Sequence, residues 1–134
     1  MSDEQIAEGF GCENCWPSSP EGADDAYRAL TREADLIDES HFYVTIRACS
    51  SCSQRFIGIF TEMIDWEGGD DPQYWTLLPI TEVEAADLIR QGNSLTEQTL
   101  NSLGSGRRSL HRDHPKGKPP RAYWGTGIWV GPHD

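Results

Sequence analysis

The sequence predicts an α+β domain in which a small antiparallel sheet carries two or three packed helices. Several short segments alternate apolar and polar side chains, which is the period of a half-buried strand. Other segments place apolar residues three and four apart behind helix-capping residues. Gly and Pro separate these segments, and a length of 134 residues is typical of a single domain.

The composition indicates a folded chain. Apolar residues make up 37 %, and the chain has five Trp, four Tyr and four Phe, which is too aromatic for a disordered protein. The sequence has no apolar run long enough to span a bilayer, and residues 1–5 lack the basic start of a signal peptide. We therefore expect a soluble, cytoplasmic protein with no membrane segment.

The charge is unevenly distributed along the chain. Twenty-two acidic and eleven basic residues give a net charge of -11. Residues 1–106 hold twenty acidic and five basic residues, a balance of -15, whereas residues 107–134 hold six basic and two acidic residues, a balance of +4. A negative body repels phosphate backbones, so a basic protein is the better candidate partner. Solubility alone is the simpler explanation of an acidic composition.

Cysteine occurs only as Cys12, Cys15, Cys49 and Cys52, which form two C-x2-C pairs. In a reducing compartment such pairs indicate metal ligands before they indicate disulfides. With two residues between the cysteines, one turn can direct both sulfurs toward the same tetrahedral zinc ion, each sulfur lying about 2.3 Å from it. Four thiolates leave no open position for water, so one structural zinc is expected. A redox pair or four ordinary buried thiols are the alternatives.

The residues around the second pair predict a β-hairpin. Residues 41–48 alternate as a strand does, and residues 54–64 form a second β-rich run. Cys49 and Cys52 therefore lie at the predicted hairpin tip, where one turn can hold a metal ion.

These motifs resemble those of the zinc ribbon. The resemblance covers residues 11–64 and rests on the motifs Cys12-Glu-Asn-Cys15 and Cys49-Ser-Ser-Cys52. It implies a structural zinc held by the four cysteines, with the second knuckle capping a hairpin. Trp16 and Ser53 stand where ribbons often carry a Gly with positive φ.

Three helices are predicted outside the hairpin. Ser19 and Pro20 have the order of an N-cap and a first-turn proline, which predicts a helix over residues 20–35. Thr81 and Glu84 match a capping box that predicts a helix to about residue 91. A second such signature, starting at Ser94, predicts a short helix before Gly104, and residues 73–80 and 122–130 are predicted to extend the sheet.

An acidic loop over residues 65–72 is a candidate partner surface. The residues assigned to it are Trp66, Glu67, Asp70 and Asp71. An exposed Trp among carboxylates suits contact with a basic protein. A plain hairpin connection is the simpler alternative, and the spacing does not match an EF-hand.

The basic segment 107–121 is rich in Gly and Pro, which predicts a mobile or extended loop. The residues that could contact nucleic acid are Arg107, Arg108, Arg112, Lys116, Lys118 and Arg121. Ion pairs with the acidic body are the alternative role. His111 and His114 are expected to be exposed, with a second metal site or a general base as alternatives.

The sequence thus predicts one domain over residues 1–134. Its parts are a zinc-ribbon-like region (11–64), a strand with helices (65–106), a basic loop (107–121) and a closing strand (122–134). The predicted function is a non-catalytic, zinc-stabilised acidic protein-binding module, most concretely an immunity or antitoxin-type inhibitor that covers a basic toxin surface. The alternative is an accessory factor in transcription or RNA handling that contacts nucleic acid through residues 107–121. No catalytic motif is recognisable, so no enzyme is expected, an enzyme using His111 or His114 being the least favoured reading.

Overall fold

The computed structural model describes residues 9–64, 66–69, 71–115 and 117–133. A six-stranded antiparallel sheet forms its centre, and each strand pairs with its neighbours along the chain. The strands are β1 (Thr31–Glu39), β2 (Phe42–Ala48), β3 (Arg55–Glu62), β4 (Gln73–Ile80), β5 (Arg108–His114) and β6 (Arg121–Thr126). The helices in the described residues are α1 (Pro20–Tyr27), α2 (Glu82–Gln91) and α3 (Glu97–Ser102). The prediction of an α+β fold is confirmed, and none of these helices has the length and apolarity needed to cross a membrane.

One face of the sheet carries the larger apolar core. Val44 and Ile46 on β2 lie opposite Ile59 and Ile57 on β3, and all four side chains are buried. The helices α2 and α3 cover them through Ala85, Leu88 and Leu100, among other residues. This surface is called the helical face below. Because β-branched side chains alternate onto it from two paired strands, its register is strongly specified.

The opposite face carries a second core and is called the cysteine face below. Phe56 on β3, Leu77 on β4 and Leu110 on β5 are buried there. The N-terminal segment and α1 cover them with Trp16 and Ala23, both buried. The cysteines lie on this same face, where the N-terminal segment packs on the sheet.

The predicted helix over residues 20–35 is wrong in its second half. The helix α1 ends at Tyr27, and Thr31–Glu39 forms the edge strand β1. Two register irregularities in the β1–β2 pairing let the adjacent residues Leu36 and Ile37 both be buried. A bulge of this kind breaks strict alternation, so the segment lacks the clear two-residue period of a strand. The predicted helix continued to residue 35 because Leu30 and Ala34 keep a helical spacing.

The predicted loop over residues 107–121 is also wrong, because most of its first half is β5. Three polar residues of β5, namely Ser109, His111 and Asp113, are buried. Buried polar side chains need partners, and Thr76 and Tyr123 on the adjoining strands are among those that supply them. The polar composition therefore concealed a strand. The predicted closing strand is present as β6, but it ends at Thr126.

The helix start signals are confirmed at Thr81. Its side chain accepts from Glu84 N, and the Glu84 carboxylate accepts from Thr81 N. At α3 the N-cap is Thr96 rather than the Ser94 of the predicted signature. Both helices begin where a hydroxyl satisfies an otherwise unpaired backbone N–H.

Candidate metal centre

The structure brings all four cysteine sulfurs together. The sulfurs lie within 4.8 Å of one another. Three separations are short: 3.9 Å from Cys12 to Cys15, 3.8 Å from Cys12 to Cys49, and 3.8 Å from Cys15 to Cys52. A tetrahedron with Zn–S bonds of about 2.3 Å has edges of about 3.8 Å. The arrangement is therefore compatible with a zinc site, and its four soft donors suit that ion.

The first pair is shaped by a tight turn. Cys15 N and Trp16 N both donate to Cys12 O, at 3.1 and 2.7 Å. Cys12 N donates to Cys15 Sγ at 3.3 Å. Gly11 precedes the turn with a φ of +75°, and a Cβ there would lie 2.7 Å from Trp16 Cβ. The backbone approach that brings the two sulfurs together thus requires a glycine at this position.

The second pair lies in the turn between β2 and β3. Cys49 N donates to Gln54 O at 2.9 Å, and Ser53 N donates to Cys49 O at 2.8 Å. Ser51 N donates to Cys49 Sγ at 3.3 Å. Ser53 has a φ of 69°, so a residue with a side chain occupies the left-handed conformation that favours glycine.

Side chains outside the ligand set hold the two turns against each other. Gly11 N donates to Gln54 Oε1 at 3.0 Å. The Gln54 amide nitrogen donates to Arg55 O at 2.7 Å and to Ile80 O at 2.8 Å. Sequence reasoning missed Gln54, and its position just after the second pair was the only available signal. Such supporting contacts orient metal ligands and raise affinity.

The sulfurs differ in acidity. Burial raises the pKa of Cys15, with the neighbouring sulfurs of Cys49 and Cys52 adding to the effect and the Cys12 backbone N–H opposing it. Burial also acts to raise the pKa of Cys49, but the N–H groups of Cys52 and Ser51 outweigh it and lower the pKa to about 7. Four sulfurs this close do not all ionise alone, whereas a bound cation stabilises the thiolates.

No family model, no curated protein and no solved structure matches this chain.

The acidic loop is only partly described. Trp66 is 84 % exposed, Glu67 is exposed and Asp71 is half-buried. Asp70 lies outside the described residues. The loop presents an aromatic ring to solvent beside acidic residues, and its role in partner binding stays a prediction.

Most basic residues of segment 107–121 contact the chain itself. Arg107 donates to both oxygens of Glu84 and to Pro79 O. Arg108 lies over the ring of Trp124, with its guanidinium carbon 4.2 Å from the centroid. Arg112 lies 3.6 Å from Asp24, and Arg121 lies 3.8 Å from Asp113. Lys118 is exposed, and Lys116 lies outside the described residues.

His111 is buried, which corrects the expectation that it is exposed. Its Nε2 lies 2.8 Å from Ser109 Oγ, and its Nδ1 lies 3.4 Å from Thr76 Oγ1. Burial lowers its pKa. Ser109 has no exposed surface, and His111 exposes only 6 % of its own. His114 is half-buried at the end of β5.

The cysteine face also contains a cavity of about 510 Å³. It lies beside α1, over the middle strands of the sheet. Sequence reasoning missed it because its residues read as ordinary strand positions.

Proposed function

We propose that this chain is a non-catalytic, zinc-stabilised module that binds a basic protein. The convergence of the four sulfurs carries the zinc-binding part of the proposal. A zinc ion held by all four thiolates would have no open position for water or substrate. The metal would then fasten the N-terminal segment to the sheet and take no part in turnover.

The finer form of the proposal is a zinc-ribbon arrangement with one structural zinc. The turn that carries Cys49 and Cys52 connects two paired antiparallel strands. The first pair reaches that turn from the N-terminal segment, and Asn14 Nδ2 donates to Ser51 Oγ at 3.1 Å across the gap. These contacts support one shared ion rather than two separate thiol pairs.

Surface charge and exposure support a basic protein as partner. The chain carries a net charge of -11, and Trp66 exposes 84 % of its surface beside Glu67. Aromatic residues are enriched where protein interfaces gain most of their affinity, and complementary charge speeds association. In its most concrete form, the partner is a toxin whose basic surface the acidic loop covers, as an immunity or antitoxin-type inhibitor does.

Contact with nucleic acid has less support. Arg107, Arg112 and Arg121 are engaged with Glu84, Asp24 and Asp113. A phosphate would have to compete with these carboxylates within a chain of strongly negative charge.

Metal analysis tests the first half of the proposal. We expect one zinc per purified chain by mass spectrometry, and a cobalt-substituted protein with the intense visible bands of tetrahedral thiolate ligation. Cys49→Ser should reduce the bound metal sharply, while Ser50→Ala in the same turn should not. Purified wild-type protein without stoichiometric metal would contradict the proposal.

A capture experiment tests the second half. The immobilised chain should retain a basic protein from the source cell, in a one-to-one complex that weakens with salt. Trp66→Ser and Glu67→Gln should weaken this complex, whereas Val83→Ser and Glu39→Gln at other exposed positions should not. If the complex is insensitive to all four changes, the acidic loop is not the contact surface.

A further inference from the structure

The cavity on the cysteine face follows from the register of the sheet. In one row across the strands, Tyr43, Phe60 and Trp75 lie side by side. In the next row Thr45, Gly58 and Leu77 do so. The second row has a glycine at its centre, so its side chains project less far from the sheet than the aromatic rings of the first row, and a hollow remains above Gly58.

Aromatic rings wall the cavity. The Tyr43 and Phe60 ring centroids are 5.6 Å apart, and those of Phe60 and Trp75 are 4.9 Å apart. Tyr27 from α1 contributes another ring to the lining. A cavity of about 510 Å³ with aromatic walls has the size and character of a small-molecule site.

Gly58 gives the cavity its depth. A Cβ at this position would lie 3.3 Å from Thr45 Oγ1, 3.7 Å from Leu77 Cδ1 and 3.9 Å from Arg47 Nε. Any larger side chain would therefore extend into the space between these three groups. The absence of a side chain leaves the Arg47 guanidinium facing that space.

Arg47 supplies an unsatisfied donor. Its Nε is buried and has no hydrogen-bond partner among the described residues. Its guanidinium carbon lies 4.8 Å from the Tyr27 ring centroid, a contact that holds the group in place without giving Nε–H an acceptor. A buried unpaired donor costs stability, and here an acceptor entering the cavity would satisfy it.

The other charges of the cavity are largely balanced within the chain. Arg112 lies 3.6 Å from Asp24, and Arg32 lies 3.6 Å from Asp35. Asp38 is exposed. In the strand register it lies opposite Tyr43, which is four residues from Arg47 along β2. The inner end of the cavity is therefore cationic, through Arg47.

From the buried unpaired Nε of Arg47 and the aromatic walls, we infer that this cavity binds a small monocarboxylate with a compact apolar or aromatic body. The carboxylate accepts from Arg47, which suits its planar fork. The body of the ligand lies over Gly58 against Phe60 and Trp75. The inference goes beyond the proposed function, because it involves neither the metal nor the acidic loop.

Titration of the zinc-loaded, ¹⁵N-labelled protein tests the inference. The probes are phenylacetate, benzoate and isovalerate, with phenylacetamide as the uncharged counterpart of the first. At least one carboxylate should bind saturably at millimolar concentration, shifting the amide signals of Thr45 and Gly58 and the Arg47 Nε–H signal. Amides of Val83 and Ile89 on the other side of the molecule should not shift. Phenylacetamide should bind at least about tenfold more weakly than phenylacetate, because it lacks the charge-assisted bond.

Two variants with matched controls locate the site. Arg47→Gln should weaken carboxylate binding at least about tenfold, whereas Arg90→Gln, which removes the same charge from α2, should not. Gly58→Val should abolish binding by filling the cavity, and valine is favoured in strands. Gly106→Val is the control, since a Cβ there meets nothing within 4 Å.

Several results would overturn the inference. One is the absence of saturable binding by all three carboxylates at millimolar concentration. The inference would also fail if phenylacetate and phenylacetamide bound with equal affinity. It would fail likewise if a folded Arg47→Gln protein bound the carboxylate as tightly as wild type. If Arg47→Gln does not fold, Gly58→Val decides, and undiminished binding by that variant excludes this cavity.

Discussion

Individual residues in the turn after β2 determine how closely the second cysteine pair is held. Ser53 adopts a φ of 69°, a conformation that costs a residue with a side chain on the order of 1 kcal/mol. Its backbone N–H nevertheless donates to Cys49 O, which fixes the turn. This conformation therefore shapes the cysteine turn, and because the residue is a serine it lowers the stability of the folded state.

Replacing Ser53 with glycine should stabilise the protein. We expect Ser53→Gly to raise the free energy of unfolding by about 0.5–1 kcal/mol, because glycine adopts positive φ without strain. Chemical denaturation of the metal-loaded protein measures the change. Ser50→Gly in the same turn is the control, and since Ser50 has no positive φ it should be neutral or destabilising. A loss of stability in Ser53→Gly would contradict the prediction.

Gln54 is expected to be the most sensitive position next to the ligands. Gln54→Ala removes the partner of Gly11 N and of two backbone carbonyl groups. We expect a loss of about 1–3 kcal/mol in stability and a metal affinity lowered about 10–100-fold. Competition with a chromophoric chelator measures the affinity. Gln98→Ala on the exposed side of α3 should change neither quantity.

At this scale, the sequence predicted which four cysteines come together but not the residues that support them. Spacing alone indicated Cys12, Cys15, Cys49 and Cys52, because two residues between thiols suffice for a metal-binding turn. Nothing in the sequence indicated that Gln54 bridges three segments, since a polar residue after a turn is ordinary. The Arg47 donor was equally hidden, because only the structure shows that its Nε is buried without a partner.

At the scale of elements, α2 is tied to the start of β5 through a charged pair. Glu84 caps its own helix and accepts two bonds from Arg107. Partial burial acts to raise the pKa of Glu84, but the bonds from Arg107 and Thr81 outweigh it and hold the pKa below its ordinary value of 4.5. A carboxyl whose pKa is lower in the folded state stabilises that state at pH values above the unfolded pKa.

This pair should therefore make part of the stability depend on pH. As the pH falls below 4.5 and then through the lower folded pKa, the contribution of Glu84 should be lost. Glu84→Gln should be less stable than wild type at neutral pH, by about 1–3 kcal/mol, and the difference should shrink in acid. Urea unfolding at a series of pH values measures this. Glu39→Gln is the charge-matched control, and a pH-independent difference for Glu84→Gln would contradict the prediction.

The elements were predicted best where their signals are local. The capping box at Thr81 and the alternation in β2 and β3 depend on neighbouring residues, and the structure confirms them. By contrast, the first residues of β1 were read as a continuation of the preceding helix because Leu30 and Ala34 keep the four-residue spacing of a helix face. The strand β5 was read as a loop because its segment is rich in Gly, Pro and basic residues, and because the partners of His111 and Asp113 include Thr76 and Tyr123 on the adjoining strands.

At the scale of the molecule, the two faces of the sheet should respond differently to metal removal. The helical face has its own apolar core, whereas residues 9–30 are held by the cysteine site and the smaller core around Trp16. We expect chelation to remove amide protection from residues 9–30 while β2, β3 and β4 keep most of theirs. Hydrogen exchange with mass spectrometry measures this, and added zinc should restore protection. Uniform loss, or no change, would show that the metal does not act locally.

The order of the strands has a consequence for how the chain reaches this fold. Because each strand pairs with its predecessor, the sheet can grow hairpin by hairpin as the polypeptide leaves the ribosome, with no early segment waiting for a distant one. Contacts between distant segments form later, and one example is that of β6 with the N-terminal segment, where Trp124 Nε1 donates to Ser18 O across a separation of 106 residues. A contact between residues so far apart raises the mean sequence separation that slows folding, and it cannot form until Trp124 has been synthesised, well after the four cysteines.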